Sequence, residues 1–259
     1  MKTLFVRQYD AFGDWISANG LIRYLIEERS YEKVYCVLEF NKNRENFVEH
    51  LYHDDSRIST IMNHEMDSVC TIKDDVIDIR YNEFYQPCIS LHYWSNQNKY
   101  GNYIHYGDES NSTKFYSKLG IDPIIKNEKF FFSRNFEMEK RLFDSLNLIK
   151  PYSVVCEYDE NLIDRKYVKY SNVVNLHKIS PNMVDILKII ENSDDVHLIE
   201  NSISLFVYHM QYKNLMNLNK INLHTYSRKE SYRICNNILD NPYLKMLLLP
   251  KLDNWMLIC

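Results

Sequence analysis

Apolar positions recur along this 259-residue chain in two alternating rhythms. TLFVRQ (3–8) is a short, nearly continuous apolar run of the kind a buried strand needs. After the turn YDAFGD, Ala18, Leu21, Ile22, Leu25 and Ile26 fall at i, i+3, i+4, i+7 and i+8, one face of a helix from about Trp15 to Glu28. KVYCVLEF (33–40) predicts a second strand, RENFVEHLY (44–52) a short helix and RISTIM (57–62) a third strand. Strand–helix alternation of this kind implies a parallel sheet with crossover helices. From about Asp74 to Tyr106 the pattern weakens into loops and short strands rich in Tyr, His, Asn and Trp. Residues 112–120 then read as a helix capped by Gly120, with Pro123 shortly after.

FFFSRNFEMEKRLFDSL (130–146) predicts a strand and then a helix, and near Pro151 the alternation starts again. YSVVCEY (152–158) and VVNLH (173–177) read as strands, and SPNMVDILKIIENS (180–193) as a helix with Met183, Ile186, Leu187 and Ile190 on one face. VHLIE (196–200) is a strand running directly into NSISLFVYHMQ (201–211), where Ile203, Phe206, Val207 and Met210 repeat the helical spacing. KINLHTY (220–226) is one more strand, and the segment from Lys229 is expected to be largely helical. The chain therefore divides into an α/β domain over 1–125, a connecting segment over 126–150 and a second α/β domain over 151–259. Two such halves facing a central cleft would bind ligands at the carboxyl ends of their strands.

Composition narrows the function classes. Lys and Arg total 31 against 35 Asp and Glu, a net charge of −4, and no long basic run occurs, which disfavours a nucleic-acid binder. No stretch of about 18 apolar residues predicts a transmembrane helix. MKTLFVRQYD is too short an apolar run, interrupted by Arg7, to read as a signal peptide. The six cysteines are scattered without a CxxC pair, which points to reduced thiols and a cytoplasmic setting. Glycine is scarce, with only 5 in the chain, so each is expected where backbone geometry requires it.

One of the five, Gly13, sits in the first strand-to-helix turn, Asp10-Ala11-Phe12-Gly13-Asp14-Trp15. Two readings of Asp14 stay open there: an N-cap of the helix, or a general base for an acceptor hydroxyl. A second candidate is Glu200-Asn201-Ser202-Ile203-Ser204, where a helix start with serine hydroxyls beside it suits a phosphate, and where plain capping would also explain Asn201 or Ser202. His50-Leu51-Tyr52-His53 followed by Asp54 and Asp55 has metal-like spacing but no clear third ligand, and no Asp-x-Asp triplet exists. His177, His197 and His224 fall at or near strand ends, as cleft residues or as hydrogen-bonded structural histidines.

The order and spacing of these pieces resemble the GT-B glycosyltransferases of the heptosyltransferase type. In that family a first strand leads through a Gly-Asp turn into a long helix, as in FVRQYDAFGDWISANGLIRYL (5–25). Its second half carries a helix, an acidic strand and an Asp-Ser-Gly-x-x-His turn into a helix, and NMVDILKIIENSDDVHLIENSISLFVYHM (182–210) is similar in layout. The resemblance implies two Rossmann-like α/β halves and places the family's catalytic Asp on Asp14. It places the diphosphate turn on Asn201, Ser202 and Ile203. Asn201, Ile203 and Phe206 stand where the family has an acidic residue, a glycine and a histidine.

What the resemblance implies is transfer of a sugar from a nucleotide-sugar donor to a hydroxyl acceptor, inverting, without a metal or any other cofactor. Asp14 would be the base. Glu200, Asn201, Ser202, Ile203 and Ser204 would hold the donor's ribose and diphosphate, helped by Arg165, Lys166 or Arg228. Gly13, Trp15, His92, Trp94, His105 and Asp108 would form the acceptor side. The alternatives are a non-catalytic module of the same fold that recognises a glycan or a protein, and an epimerase or hydrolase on the same architecture.

Overall fold

The computed structural model describes residues 2–8, 11–38, 42–71, 73–78, 103–105, 116, 119–157, 162–179, 183–199, 201–218, 220–224 and 254–258. The chain separates into two compact units, Met1–Ser133 and Arg134–Cys259.

Among the described residues the first unit holds a five-stranded parallel sheet. Its elements are β1 (Thr3–Arg7), α1 (Phe12–Glu28), β2 (Lys33–Leu38), α2 (Lys42–Tyr52), β3 (Ile58–Met62), α3 (Asn63–Val69), β4 (Asp75–Asp78), β5 (Tyr103–His105) and the single-turn α4 (Ile125–Glu128). The strand order is β3-β2-β1-β4-β5. β1 lies at the centre and all five of its residues are buried, which explains its unbroken apolar run. The order reverses between β1 and β4, and at such a switch point the loops leave a crevice outside the carboxyl ends of the strands.

Two of the scarce glycines are accounted for here. Gly20 lets α1 and α4 meet at backbone distance: a Cβ there would lie 2.6 Å from the Ile125 carbonyl oxygen and 2.7 Å from that of Lys126. Gly120 has φ +70, and the Ile121 N–H returns to the Tyr116 carbonyl at 2.9 Å, the bond a glycine cap makes; of the helix expected over 112–120 only Tyr116, Leu119 and Gly120 lie among the described residues. The strand expected at 130–132 does not form. Phe130 and Phe132 are buried and Phe131 exposed, so the residues alternate as in a strand, but the Phe131 N–H is taken by Asn19 Oδ1 at 3.0 Å.

The second unit repeats the design. It comprises α5 (Phe136–Ser145), β6 (Ser153–Cys156), a 3-10 turn at Arg165–Tyr167, β7 (Val173–Asn175), a second 3-10 turn at Leu176–Lys178, α6 (Leu187–Glu191), β8 (Asp195–Ile199), α7 (Ser202–Tyr212), β9 (Ile221–His224) and β10 (Trp255–Ile258). The five strands are parallel in the order β10-β9-β8-β6-β7, with the switch point between β6 and β8.

Two expectations change in this unit. The helix read over 180–193 is a turn at 183–186 followed by the five-residue α6, although Met183, Ile186, Leu187 and Ile190 are all buried as their spacing required. Of the segment from Lys229, expected to be largely helical, only 254–258 lie among the described residues, and there the chain is a strand: β10 pairs with β9, and the indole Nε1 of Trp255 donates to Gln211 Oε1 on α7 at 2.5 Å. At the start of the unit the nearly buried Arg134 donates to Glu139 at 2.5 and 2.9 Å, to Glu191 at 2.7 Å twice and to the Leu215 carbonyl at 3.1 Å, tying α5, α6 and the segment after α7 together.

Candidate functional site

Each switch point gathers polar residues at the carboxyl ends of its strands. In the first unit β1 ends in Arg7, which is fully buried although charged, and its Nη2 donates to Asn63 Oδ1 at 2.8 Å. Arg7 pairs in register with Asp78, and Asp78 with His105, so three backbone positions form one row across β1, β4 and β5. The next turn of chain leads into α1. Its N-cap is Ala11, which has no side chain able to cap, and the Asp14 N–H donates to the Ala11 carbonyl at 3.1 Å. Asp14 is thus the third residue of the helix and not its cap, because the helix starts at Phe12 rather than Trp15. Its carboxylate is half-buried in the first turn, as is Gly13 beside it.

Trp15 corrects the acceptor-side expectation. Its side chain is 0% exposed and belongs to the core under α1, where the same helical face buries Ala18, Leu21, Ile22 and Leu25. His105 is placed only by its backbone, at the carboxyl end of β5. His92, Trp94 and Asp108 lie outside the described residues.

In the second unit, Asn201 and Ser204 satisfy each other. Asn201 Oδ1 accepts from the Ser204 N–H at 3.0 Å, and Ser204 Oγ accepts from the Asn201 N–H at 3.0 Å, a reciprocal capping box. These two residues are caps first, so the helix-start amides left for a ligand are those of Ser202 and Ile203. Ile203 is itself buried, and its side chain packs inward. Asn201 Nδ2 also donates to Cys156 Sγ at 3.0 Å, which bridges the ends of β8 and β6 across the switch point. Burial pushes the Cys156 thiol up to about 11, so it is protonated at neutral pH.

Glu157, which follows β6, carries no signal in the sequence yet organises this edge. It is buried and accepts from Arg165 at 2.5 and 3.0 Å and from the Ile163 N–H at 3.1 Å. Burial raises its carboxyl, but Arg165 and that N–H outweigh the burial and hold it below the usual range. Arg165 and Lys166 were expected to help hold the diphosphate, and both have partners. Arg165 is paired with Glu157, and Lys166 reaches Asp164 at 2.8 Å. Both cations remain largely solvent-exposed. Glu200 and Arg228 lie outside the described residues.

Arginines claim the acidic half of the HLYHDD motif: Asp54 pairs with Arg23 at 2.8 Å and Asp55 with Arg57 at 2.6 Å. His53 Nδ1 lies 2.6 Å from the His50 carbonyl. Among the described residues no three His, Cys, Asp or Glu side chains are grouped to hold a metal ion. His197 and His224 are buried and bonded to each other, and His177 is exposed after β7.

Two parallel α/β units, each with a switch point lined by polar residues, define the GT-B class of architecture. No protein-family model and no curated protein matches the sequence. Among solved structures, the chain is similar to the glycosyl transferase family 9 protein from Veillonella parvula DSM 2008. That likeness has a TM-score of 0.51 and 9% identity, over 86% of this chain and 80% of the other. It is also similar to E. coli heptosyltransferase WaaC with ADP, at TM-score 0.43 and 9% identity, over 86% of both chains. The first likeness shows a shared fold: this chain is built like a family 9 glycosyltransferase.

Proposed function

We propose that the protein is a glycosyltransferase that moves a sugar from a nucleotide-sugar donor to a hydroxyl acceptor, inverting and without a metal. The observation that carries this reading is the placement of Asp14. In a chain with the fold of a family 9 glycosyltransferase, a half-buried carboxylate stands in the first turn of α1, the helix that follows the central strand β1 at the switch point of the first unit. Asp14 accepts the proton of the acceptor hydroxyl as its oxygen attacks the anomeric carbon, and the bond from that carbon to the diphosphate oxygen breaks. The second unit takes the donor. The Ser202 and Ile203 amides and the positive end of α7 meet the departing diphosphate, and Arg165 and Lys166, already paired, add a partly offset charge.

One observation favours a second reading, a binding module of the same fold that recognises a glycan or protein without turnover. The turn at 201–204 is closed by its own capping box and has the buried Ile203 where a backbone would need room near a diphosphate. Thermal unfolding separates the two. A nucleoside diphosphate at ~100 times its Kd stabilises the native state by about 2.7 kcal/mol, a rise of several degrees in Tm. A shift with nucleotides and nucleotide sugars is the expected result. A shift with glycans alone, and none with any nucleotide at millimolar concentration, selects the binding module.

A further inference from the structure

The edge of the first sheet carries a cavity that the proposed transfer does not use. β3 is the outer strand, with β2 on one side and, among the described residues, no strand on the other. A cavity of about 300 Å³ lies against its first three residues, Ile58, Ser59 and Thr60, and against the end of α2. These residues begin their strand, whereas Asp14 follows the carboxyl end of β1 in the same parallel sheet. Successive side chains of a strand point to opposite faces, so a cavity lined by three in a row reaches across the edge of β3 and does not lie on one face alone.

Alternate residues of β3 turn their backbone groups to opposite sides. Val34 is in register with Ile58, and its N–H donates to the Arg57 carbonyl at 2.9 Å. Arg57, Ser59 and Ile61 therefore face β2, and Ile58, Thr60 and Met62 face outward. Two of the three outward N–H groups are already used: that of Ile58 donates to the Asp55 carbonyl at 3.0 Å, and that of Met62 to Glu65 Oε2 at 3.0 Å. Thr60 is thus the position on this edge where both the N–H and the carbonyl can meet another chain.

Charge adds a second requirement at the same position. Thr60 Oγ1 donates to Glu49 Oε1 at 3.0 Å, so the Glu49 carboxylate stands on the face to which the Thr60 side chain points. Asp55, the other carboxylate lining the cavity, is taken by Arg57 at 2.6 and 2.8 Å. Among the described residues no lysine or arginine pairs with Glu49, and none lines the cavity. The remaining walls include Val48, Tyr52 and Ile58, all buried and largely apolar. An aliphatic stem with a cation at its tip matches both parts.

We propose that this edge docks an extended segment of a partner protein that places a lysine or arginine opposite Thr60. In an antiparallel pair that residue exchanges two main-chain hydrogen bonds with Thr60. Its side chain falls on the Thr60 face, where the stem lies along Val48 and Ile58 and the cation meets Glu49. The N–H groups already used at Ile58 and Met62 hold the pairing to that one position.

The test is an NMR titration of the full chain labelled with 15N-threonine, in which Thr60, one of five threonines, is identified by Thr60→Ser. The probe is the peptide acetyl-Val-Lys-Val methylamide. It is compared with the same peptide carrying norleucine in place of lysine, and with one methylated on the lysine main-chain nitrogen. The lysine peptide should shift the Thr60 amide and protect it from exchange. The norleucine peptide should bind about two- to fivefold more weakly, as one exposed ion pair allows, and Glu49→Gln should remove that difference. The methylated peptide should leave the Thr60 amide where it was, because its methyl group fills the space between the paired chains. No Thr60 response to the lysine peptide at millimolar concentration, equal binding of the lysine and norleucine peptides to wild type, or a Thr60 response to the methylated peptide would overturn the proposal. So would a Thr60 shift that follows protein concentration with no peptide present, since that seats a second copy of this chain on the edge. The three peptides decide on wild type alone if Glu49→Gln does not fold.

Discussion

At Asp14 a structural role and a proposed chemical one meet in a single carboxylate, and their magnitudes differ enough to separate them. An acidic side chain in the first turn of a helix favours the helix by about 0.3–1 kcal/mol. A general base contributes about 10²–10⁴-fold to rate. Asp14→Asn should therefore move Tm by no more than a few degrees and leave nucleotide affinity unchanged, while sugar transfer falls by about 10²–10⁴-fold. Steady-state transfer assays check this, and unchanged turnover would remove Asp14 from the reaction. The passage from strand to helix near Gly13 was legible because a buried apolar run gives way to a helical period, but not that Gly13 and Asp14 already belong to α1. Trp15 was misread for the reason that makes α1 easy to see: it lies on the apolar face, and only the packed core shows that its ring is enclosed. Glu157 and its bond to Arg165 were not legible, because the two stand eight positions apart in the sequence without any periodic signal.

Among the elements, α1 depends on Gly20 and the second unit on Arg134. Gly20→Ala puts a methyl group into the backbone of α4, within 2.9 Å of Lys126 Cα and closer still to two carbonyl oxygens, so the helices must separate. The loss of packing, about 1–3 kcal/mol, exceeds the ~1 kcal/mol that alanine returns through helix propensity. Urea unfolding should show a lower midpoint with an unchanged slope. Arg134→Met leaves the Glu139 carboxylate, 1% exposed, without its cation and should cost about 3–5 kcal/mol, and Arg134→Met with Glu139→Met should recover most of that. A double variant no more stable than the single one would show that the pair is not the source. The alternating elements themselves were readable from periodicity. What misled was local pattern without a partner: 130–132 alternates like a strand but has Asn19 where a neighbouring strand would be, and 183–191 is apolar at helical spacing but forms only one turn of helix.

At the scale of the molecule, the second unit is predicted to be acid-sensitive above the range in which carboxylates titrate. His224 has its pKa lowered from 6.5 to about 4, so the folded state binds fewer protons than the unfolded chain. For a base held low, stability is complete above about pH 6.5 and declines as pH falls toward about 4, by up to ~1.4 kcal/mol per pH unit. Asp195 and Glu157, both held low, extend the decline below about pH 4. Unfolding midpoints measured from pH 7.5 to pH 4 should fall in wild type and fall less in His224→Gln. Each unit is also one uninterrupted stretch of chain, and that has a consequence during synthesis. All five strands of the first sheet have left the ribosome once His105 has emerged, and their supporting α4 soon after. The second sheet must wait until Trp255–Ile258 emerge, and until then the β9 groups that pair with β10 lack that strand, an edge on which another extended chain could pair. The interval between β9 and β10 is thus the period in which a nascent chain is most exposed to mispairing, and pausing of translation there would lengthen it.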